Sequence, residues 1–402
     1  MDELVYKAIW KSGRSTIYRR IILYVILNEV KNLSKLHKNF ALNNETFKDV
    51  EELLKYSKSI SKGIYEFLEA YFDMDDFIIV NTSGSTGKPA QIKLKKEHMI
   101  NSARATGSFF KLPEGTTALL YLSPNYIAGK MMLVRALTLG WQLDMVEPGT
   151  NPLDKLQKNY DFCAMVPIQV QNSLSKLHFI KKLIIGGGAV SVELIKKLQD
   201  IQTEVFATYG MTETITHIAV KKLNNFDNAT FSEPDRHAGG VARSHFKTLP
   251  NIQIAKDQRG CLVIDAPDIS DKQIITNDLV ELISDNEFEW LGRYDTIINS
   301  GGVKLIPEKI EEKLSTIIKD RFFVAGIPDE NLGEKLIMII EGNVTSSQPV
   351  RQAGAVEKSQ LKSQKSLSKY EIPKEIYYVE KFIETETKKI QRQKTLDLIF
   401  KS

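Results

Sequence analysis

From residue 97 to residue 207 the chain alternates helix-like and strand-like runs, and this alternation constrains the fold more than any other feature. Glu97 to Lys111 predicts a helix, Thr116 to Leu122 a buried strand, and Ile127 to Leu139 a second helix. Trp141 to Val146, Asp161 to Val166 and Lys182 to Ile185 read as strands, followed by a helix from Val192 to Leu198 and a strand from Glu204 to Ala207. Such alternation implies a parallel sheet with helices on its faces. Ligands of these sheets bind beyond the carboxyl ends of the strands. Three stretches rich in small and hydroxyl residues fall at such ends: Asn81 to Lys88, Gly186 to Ala189, and Thr208 to Glu213.

The first of these, Asn81-Thr82-Ser83-Gly84-Ser85-Thr86-Gly87-Lys88-Pro89, lies between the apolar run Phe77 to Val80 and the alternating run Ala90 to Leu94. The order is strand, loop, strand. Two glycines let the backbone wrap closely around a polyanion, the hydroxyls and N–H groups donate hydrogen bonds, and Lys88 adds charge. The same residues would also suit a flexible turn with no ligand. A nucleoside-triphosphatase P-loop is disfavoured, because Pro89 stands where Ser or Thr should hold magnesium and proline hinders the helix that loop opens.

With 402 residues, two or three domains are expected, and 42% hydrophobic with 26% charged residues suits a globular protein with a sizeable core. The formal net charge of +4 gives no case for nucleic acid and is compatible with anionic substrates. Cys163 and Cys261 are far apart in apolar runs, and the six histidines show no ligand spacing, so neither a disulfide framework nor a zinc site is expected. A cytoplasmic location follows as an expectation. The start Met1-Asp2-Glu3-Leu4 lacks the basic character of a secretory signal, and the apolar run Ile21 to Leu27 is too short to span a bilayer.

Residues 1 to 75 predict amphipathic helices, with 20 to 45 as an insertion or a peripheral helix. After about residue 245 the pattern changes to hairpins, at Ile252 to Ile264 and at Leu279 to Leu291. Beyond Asp295 a strand, a helix from Glu308 to Ile318 and two more strands suggest a compact α+β unit. Residues 343 to 366 read as a polar loop or helix.

Thr82 to Pro89 resembles the phosphate loop of the adenylate-forming superfamily of acyl- and aryl-CoA synthetases, luciferases and peptide-synthetase adenylation domains. Thr208-Tyr209-Gly210-Met211-Thr212-Glu213, Gly292-Arg293-Tyr294-Asp295 with Ser300-Gly301-Gly302, and Lys388-Lys389-Ile390-Gln391-Arg392 match that superfamily in order. The resemblance covers roughly positions 75 to 400. It implies an α/β fold: a large N-terminal domain with parallel α/β sheets and a small β-barrel-like subdomain, plus a small mobile α+β C-terminal lid. The expected division is a truncated helical region at 1–75, an AMP-binding core at 76–295 with its β part at about 245–292, and the lid at 296–402.

The resemblance also implies ATP, Mg2+ and CoA as reactants and cofactor for a small-molecule carboxylic acid, with homo-oligomerisation left open. Thr82, Ser83, Gly84, Ser85, Thr86, Gly87 and Lys88 would cradle phosphates. Gly187, Gly188 and Ala189 would pass close to adenine, and Tyr209 would stack on it, beside Gly210 and Met211. Thr212 and Glu213 would hold phosphate and metal, Asp278 the ribose hydroxyls, and Arg293 ribose or phosphate. Lys389 matches the cation that bridges substrate carboxylate and α-phosphate. Gly301 and Gly302 would line a pantetheine tunnel. Ala90, Asn277 and Lys388 depart from the family pattern, and Lys388 leaves open which lysine points inward.

Ser123 to Lys130, Met165 to Gln171 and Thr212 to Ala219 resemble the 2-succinylbenzoate–CoA ligases, particularly short forms. Such an acid keeps a second carboxylate, for which Lys130, Arg135 or His217 could serve, with Tyr126 nearby. Another aryl- or fatty acyl-CoA synthetase, or a nucleotide-binding homologue that has lost catalysis, stands as the alternative.

Overall fold

The computed structural model describes residues 36–81, 90–151, 153–154, 156–225, 244–342, 361, 366–385 and 389–400. A thirteen-stranded sheet forms the body of the protein. Its first strands, β1 (Ala41–Leu42) and β2 (Glu45–Thr46), make a hairpin whose two-residue turn, Asn43-Asn44, has φ of 53° and 65°. Two successive residues at positive φ make the twist that tight hairpins favour, and asparagine tolerates it. This is a departure from the helix or insertion expected there, because a two-residue strand leaves no periodicity to read. Helices α1 (Val50–Ile60) and α2 (Lys62–Phe72) follow as expected. Asp49 caps α1 by accepting the Glu52 N–H at 3.0 Å.

Strands β3 (Phe77–Asn81) and β4 (Gln91–Lys95) pair antiparallel as a separate two-stranded sheet, register Asn81↔Gln91. Thr82, Ser83, Gly84, Ser85, Thr86, Gly87 and Lys88, which join them, lie outside the described residues. Since β4 follows the loop directly, the strand–helix geometry of a P-loop is absent, as the proline suggested. Helix α3 (Lys96–Phe110), β5 (Thr117–Leu120), α4 (Ile127–Leu139), β6 (Gln142–Met145), β7 (Tyr160–Met165), α5 (Pro167–Asn172), β8 (Ile180–Ile185), α6 (Val192–Leu198) and β9 (Glu204–Gly210) supply the alternation read from the sequence.

β1, β6, β5, β7, β8 and β9 lie side by side and all parallel. At β9 the direction changes. β10 (His217–Lys222), β11 (Phe246–Thr248), β15 (Glu287–Arg293), β14 (Ile274–Ser284), β13 (Cys261–Asp265) and β12 (Gln253–Lys256) continue the ladder antiparallel. β9 runs through Thr208 and Tyr209, so these belong to the sheet rather than to the loop beyond it. Phe110, Trp141, Phe162 and Phe206 pack together in the core between α3 and the sheet, each of about the burial that contributes 1.5–3 kcal/mol or more.

Beyond residue 295 a five-stranded sheet forms from β16 (Ile298–Ser300), β17 (Val303–Leu305), β18 (Phe322–Asp329), β19 (Gly333–Glu341) and β20 (Glu375–Val379), with α7 (Pro307–Leu314) and α8 (Arg392–Phe400). The period of two along β19 sends Leu336, Met338 and Ile340 into one core and Ile337 and Ile339 into another. This unit therefore has its own interior. Among the described residues no helix is long and apolar enough to cross a membrane.

Candidate active site

The last rungs of β8 and β9 place two of the expected stretches next to each other. Ile185 pairs with Ala207, and the Thr208 hydroxyl donates to the Ile185 carbonyl at 3.0 Å. Gly187, Gly188 and Ala189 leave β8 exposed at its carboxyl end, beside Tyr209 one strand away. The chain then reverses tightly. A Cβ on Gly210 would lie 2.2 Å from the Thr216 carbonyl oxygen and 2.5 Å from the His217 Cα, so only glycine fits there. Met211 leads into a short turn, Thr212–Thr214, that carries Glu213 exposed at the sheet's end. Ile215 closes it at φ 63°, ψ −58°, with the Thr216 N–H donating to the Thr214 carbonyl at 2.6 Å. A buried β-branched residue in that rare γ-turn is strained, and such strain concentrates at functional sites.

Tyr209 and Asp278 meet although four strand-to-strand steps separate β9 from β14. In a flat sheet those steps would span about 19 Å. The Tyr209 hydroxyl nevertheless donates to Asp278 Oδ2 at 2.6 Å, so the antiparallel half curls back over the end of the parallel half. The Tyr209 ring lies edge-on to Phe246 and Phe288, inside the curl. Burial, with the Asp278 carboxylate beside it, pushes the phenol up, so Tyr209 stays the donor. Arg293 faces Asp278 across β14 and β15, with its Nη1 3.8 Å from Asp278 Oδ1. The same guanidinium grips Asp295 through two bonds of 3.0 and 2.8 Å, which raise Arg293 and lower Asp295. Asp278 is thus fixed between a hydroxyl and a cation.

Arg259 was not singled out in the sequence. It donates to Asn277 Oδ1 at 2.8 Å and to the Thr276 carbonyl at 2.9 Å, and it lies 5.2 Å over the Tyr294 ring. Asn277, which precedes Asp278 and departs from the expected glycine, is thereby tied to Arg259. The Arg259 Nε also donates to Asp257 Oδ2 at 2.7 Å, two residues earlier in the turn before β13, so a local ion pair anchors the side chain whose other bonds reach β14.

Helix α4 is apolar on nearly every side, and Arg135 within it is 1% exposed. Its Nε donates to Thr106 Oγ1 at 3.3 Å, its Nη1 approaches Met132 Sδ at 3.7 Å, and its Nη2 faces His217 Nδ1 at 3.5 Å. Among the described residues no carboxylate pairs with it. A guanidinium cannot accept, so His217 Nδ1 accepts and the imidazole carries its proton on Nε2, 3.5 Å from Thr106 Oγ1. Burial brings Arg135 down to about 9; burial and the nearby guanidinium hold His217 well below its ordinary value. A cavity of about 290 Å³ opens beside His217, lined also by Ser102, Arg104 and Ile252. The buried Ser102 hydroxyl has no hydrogen-bond partner among the described residues.

Of the cations expected near a second carboxylate, Arg135 and His217 come together and Lys130 does not join them. Lys130 Nζ donates to the Pro124 carbonyl at 2.7 Å and lies 5.0 Å over the Phe67 ring, and burial lowers it. Tyr126 is the residue before α4, half-buried.

Gly301 and Gly302 form the two-residue turn between β16 and β17, with φ of 57° and 81°. The turn alone requires glycine there. Lys389 is half-buried, and its burial lowers its pKa. Lys388 lies outside the described residues. Among the described residues no group of three His, Cys, Asp or Glu side chains could hold a metal ion.

A sequence profile described as "AMP-binding enzyme" matches residues 21–260. A 2-succinylbenzoate–CoA ligase of Lactococcus lactis subsp. lactis is 24% identical over 397 residues, covering 93% of this chain and 83% of that protein. The crystal structure of an acyl-CoA synthetase (AMP-forming)/AMP-acid ligase II-like protein from Dyadobacter fermentans is 35% identical, with a TM-score of 0.54 over 86% of this chain and 97% of that one. The o-succinylbenzoate CoA synthetase of Bacillus subtilis, solved with its acyl-adenylate, is 17% identical, with a TM-score of 0.65 over 86% of this chain and 80% of that one.

Proposed function

The chain belongs to the AMP-binding enzyme family and is an AMP-forming acyl-CoA ligase; on that premise we propose that its acid is 2-succinylbenzoate or a close aromatic dicarboxylic acid. One observation carries the choice of acid: Arg135 is a buried guanidinium with no carboxylate partner among the described residues. A charge held so deeply is costly unless something negative reaches it. His217, neutral, would share that anion with the guanidinium rather than repel its own neighbour.

The reaction has two halves. In the first, a carboxylate oxygen of the acid attacks the α-phosphorus of ATP and pyrophosphate leaves. In the second, the CoA sulfur attacks the acyl carbon, AMP leaves and the thiol proton goes to solvent. Carboxylate oxygen is a poor leaving group until AMP is attached to it, and the transition state gathers negative charge on phosphorus. Lys389 would bridge the two anions in the first half. Tyr209 and Gly187 to Ala189 would bracket adenine at neighbouring strand ends.

Asp278 would accept from the ribose hydroxyls with the lone pairs that Tyr209 leaves, steadied by Arg293. Glu213, an exposed carboxylate that joins no metal-binding cluster among the described residues, fits magnesium shared with ATP phosphates rather than a protein-only site. Thr212 would assist it, and Mg2+ when bound neutralises phosphate charge. Gly301 and Gly302 would leave room for pantetheine, and Thr82 to Lys88 would hold phosphates.

An acid panel tests the proposal. Purified protein is given ATP, CoA and 2-succinylbenzoate, benzoate, other ortho-substituted aromatic diacids or long fatty acids, and pyrophosphate and thioester are followed. Preference for an aromatic diacid is expected. Preference for long fatty acids would refute the choice of acid and leave the ligase chemistry standing.

A further inference from the structure

Lys389 lies on the second of two short arms that, among the described residues, belong to no sheet. Glu384 and Ile390 form an isolated antiparallel bridge. The Thr385 N–H donates to the Lys389 carbonyl at 2.9 Å, the Lys389 N–H to Thr385 Oγ1 at 3.1 Å, and the Gln391 N–H to the Ile383 carbonyl at 2.8 Å. A pair of strands this short is not stable by itself. Something else must fix where the lysine stands.

Two arginines do so, one on each arm. Arg321, just before β18, reaches Glu384 on the incoming arm with Nη2 and Glu341 Oε2 with Nη1 at 2.9 Å. Its guanidinium lies 5.6 Å over the Phe382 ring, and Glu341 Oε1 accepts the Phe382 N–H at 2.8 Å. On the outgoing arm, Arg392 donates to Glu311 Oε2 on α7 at 2.8 Å and to the Val324 carbonyl on β18 at 3.3 Å. It lies 5.6 Å over the Phe323 ring, and Glu311 Oε1 accepts the Val324 N–H at 2.9 Å. Phe323 and Phe382 themselves pack edge-on at 5.2 Å. Both arms are therefore strapped to one patch of the β18–β19 pair by planar forks that fix angle as well as distance.

We propose that Arg321 and Arg392 are positioning residues for Lys389, holding its hairpin to the C-terminal unit so that the lysine meets the α-phosphate in a single orientation. This rests on the reading of Lys389 as the adenylation cation. Neither arginine touches substrate; both act through the lysine. Loss of either fork lets the hairpin tilt, and a displacement of about 1 Å at a reacting group costs on the order of 10²-fold in rate.

The test separates the two half-reactions. Arg321→Lys, Arg392→Lys and Glu384→Gln are compared with Lys389→Ala. Each is assayed for acid-dependent ATP–pyrophosphate exchange and for thioester formation from CoA and a pre-made acyl-adenylate, with thermal melts alongside. The lysine variants keep the charge and lose the fork; Glu384→Gln removes the carboxylate at the hairpin's end of the Arg321 contact and leaves both arginines in place. Exchange is expected to fall by roughly 10- to 100-fold in the three clamp variants, with thioester formation from the adenylate kept. Near-wild-type exchange in folded clamp variants, with Lys389→Ala inactive, overturns the positioning role. Equal loss of both half-reactions also overturns it, because that is what general damage to the unit produces. Full exchange in Lys389→Ala would instead overturn the reading of Lys389 beneath it. If either arginine variant melts before assay, Glu384→Gln decides alone.

Discussion

Replacing Arg135 by methionine should make the protein more stable and less selective at once. The drop from 12.5 to about 9 corresponds to roughly 5 kcal/mol of cost in keeping the charge in place, at about 1.36 kcal/mol per pH unit. At neutral pH the side chain is charged in both folded and unfolded chains, so the whole penalty bears on stability. Its three polar contacts, at 3.3, 3.5 and 3.7 Å, are long and offset little of it.

Methionine nearly fills the same volume, costing about 1 kcal/mol or less in packing. His217 loses a partner, at about 1–3 kcal/mol. A net gain of about 1–3 kcal/mol is expected for the ligand-free protein, read by urea denaturation. Removing the partner of a buried carboxylate costs about 3–5 kcal/mol, so kcat/KM for the preferred aromatic diacid should fall by about 10²- to 10⁴-fold. Benzoate, which has no second carboxylate, should change by only a few-fold. Destabilisation by more than about 1 kcal/mol, or equal loss with both acids, would refute the reasoning.

Further outcomes can be checked. In Lys389→Ala, ATP–pyrophosphate exchange should collapse while thioester formation from supplied acyl-adenylate survives; in the wild type, exchange should decline with rising pH before 10.5 is reached, since burial makes this lysine lose its proton early. Tyr209→Phe removes a hydroxyl bond to a carboxylate and should destabilise the ligand-free protein by about 1.5–3 kcal/mol, measured by urea denaturation. His217 is depressed below 6.5, so the unfolded chain binds the extra proton and stability falls as pH drops below that value, by at most about 1.36 kcal/mol per pH unit; His217→Gln should flatten this limb in denaturation curves. Gly210→Ala drives a Cβ into backbone at 2.2 Å and should destabilise by about 2 kcal/mol or more, visible as a lowered melting temperature.

Much of the body was legible because its helices and strands are long enough to show their period. Ile127 to Leu139 and Val192 to Leu198 were read with the bounds that the structure gives. The hairpin at 41–46 was not, since two residues carry no alternation and only Asn43-Asn44 hinted at it. The stretches around Gly187, Tyr209 and Asp278 were visible as motifs, yet their meeting depends on how the sheet rolls, and one-dimensional spacing does not encode that. Arg135 was one of three cations named for a second carboxylate, with nothing to rank it above Lys130. The all-round apolarity of Met131 to Leu137 was the available signal for burial. Thr106 acts through a helix far away in sequence and left no local mark.

The rolled sheet has a thermodynamic consequence. Tyr209 and Asp278 come from segments that, among the described residues, connect through the ladder by way of β10, β11 and β15. A nucleoside that touches both would close a ring of contacts around those three strands. Nucleotide would then act as a clasp on the whole domain, raising its melting temperature with concentration as any ligand specific to the folded state must. Substitutions at the remote strands would in turn surface as altered nucleotide affinity, far from any atom the nucleotide meets.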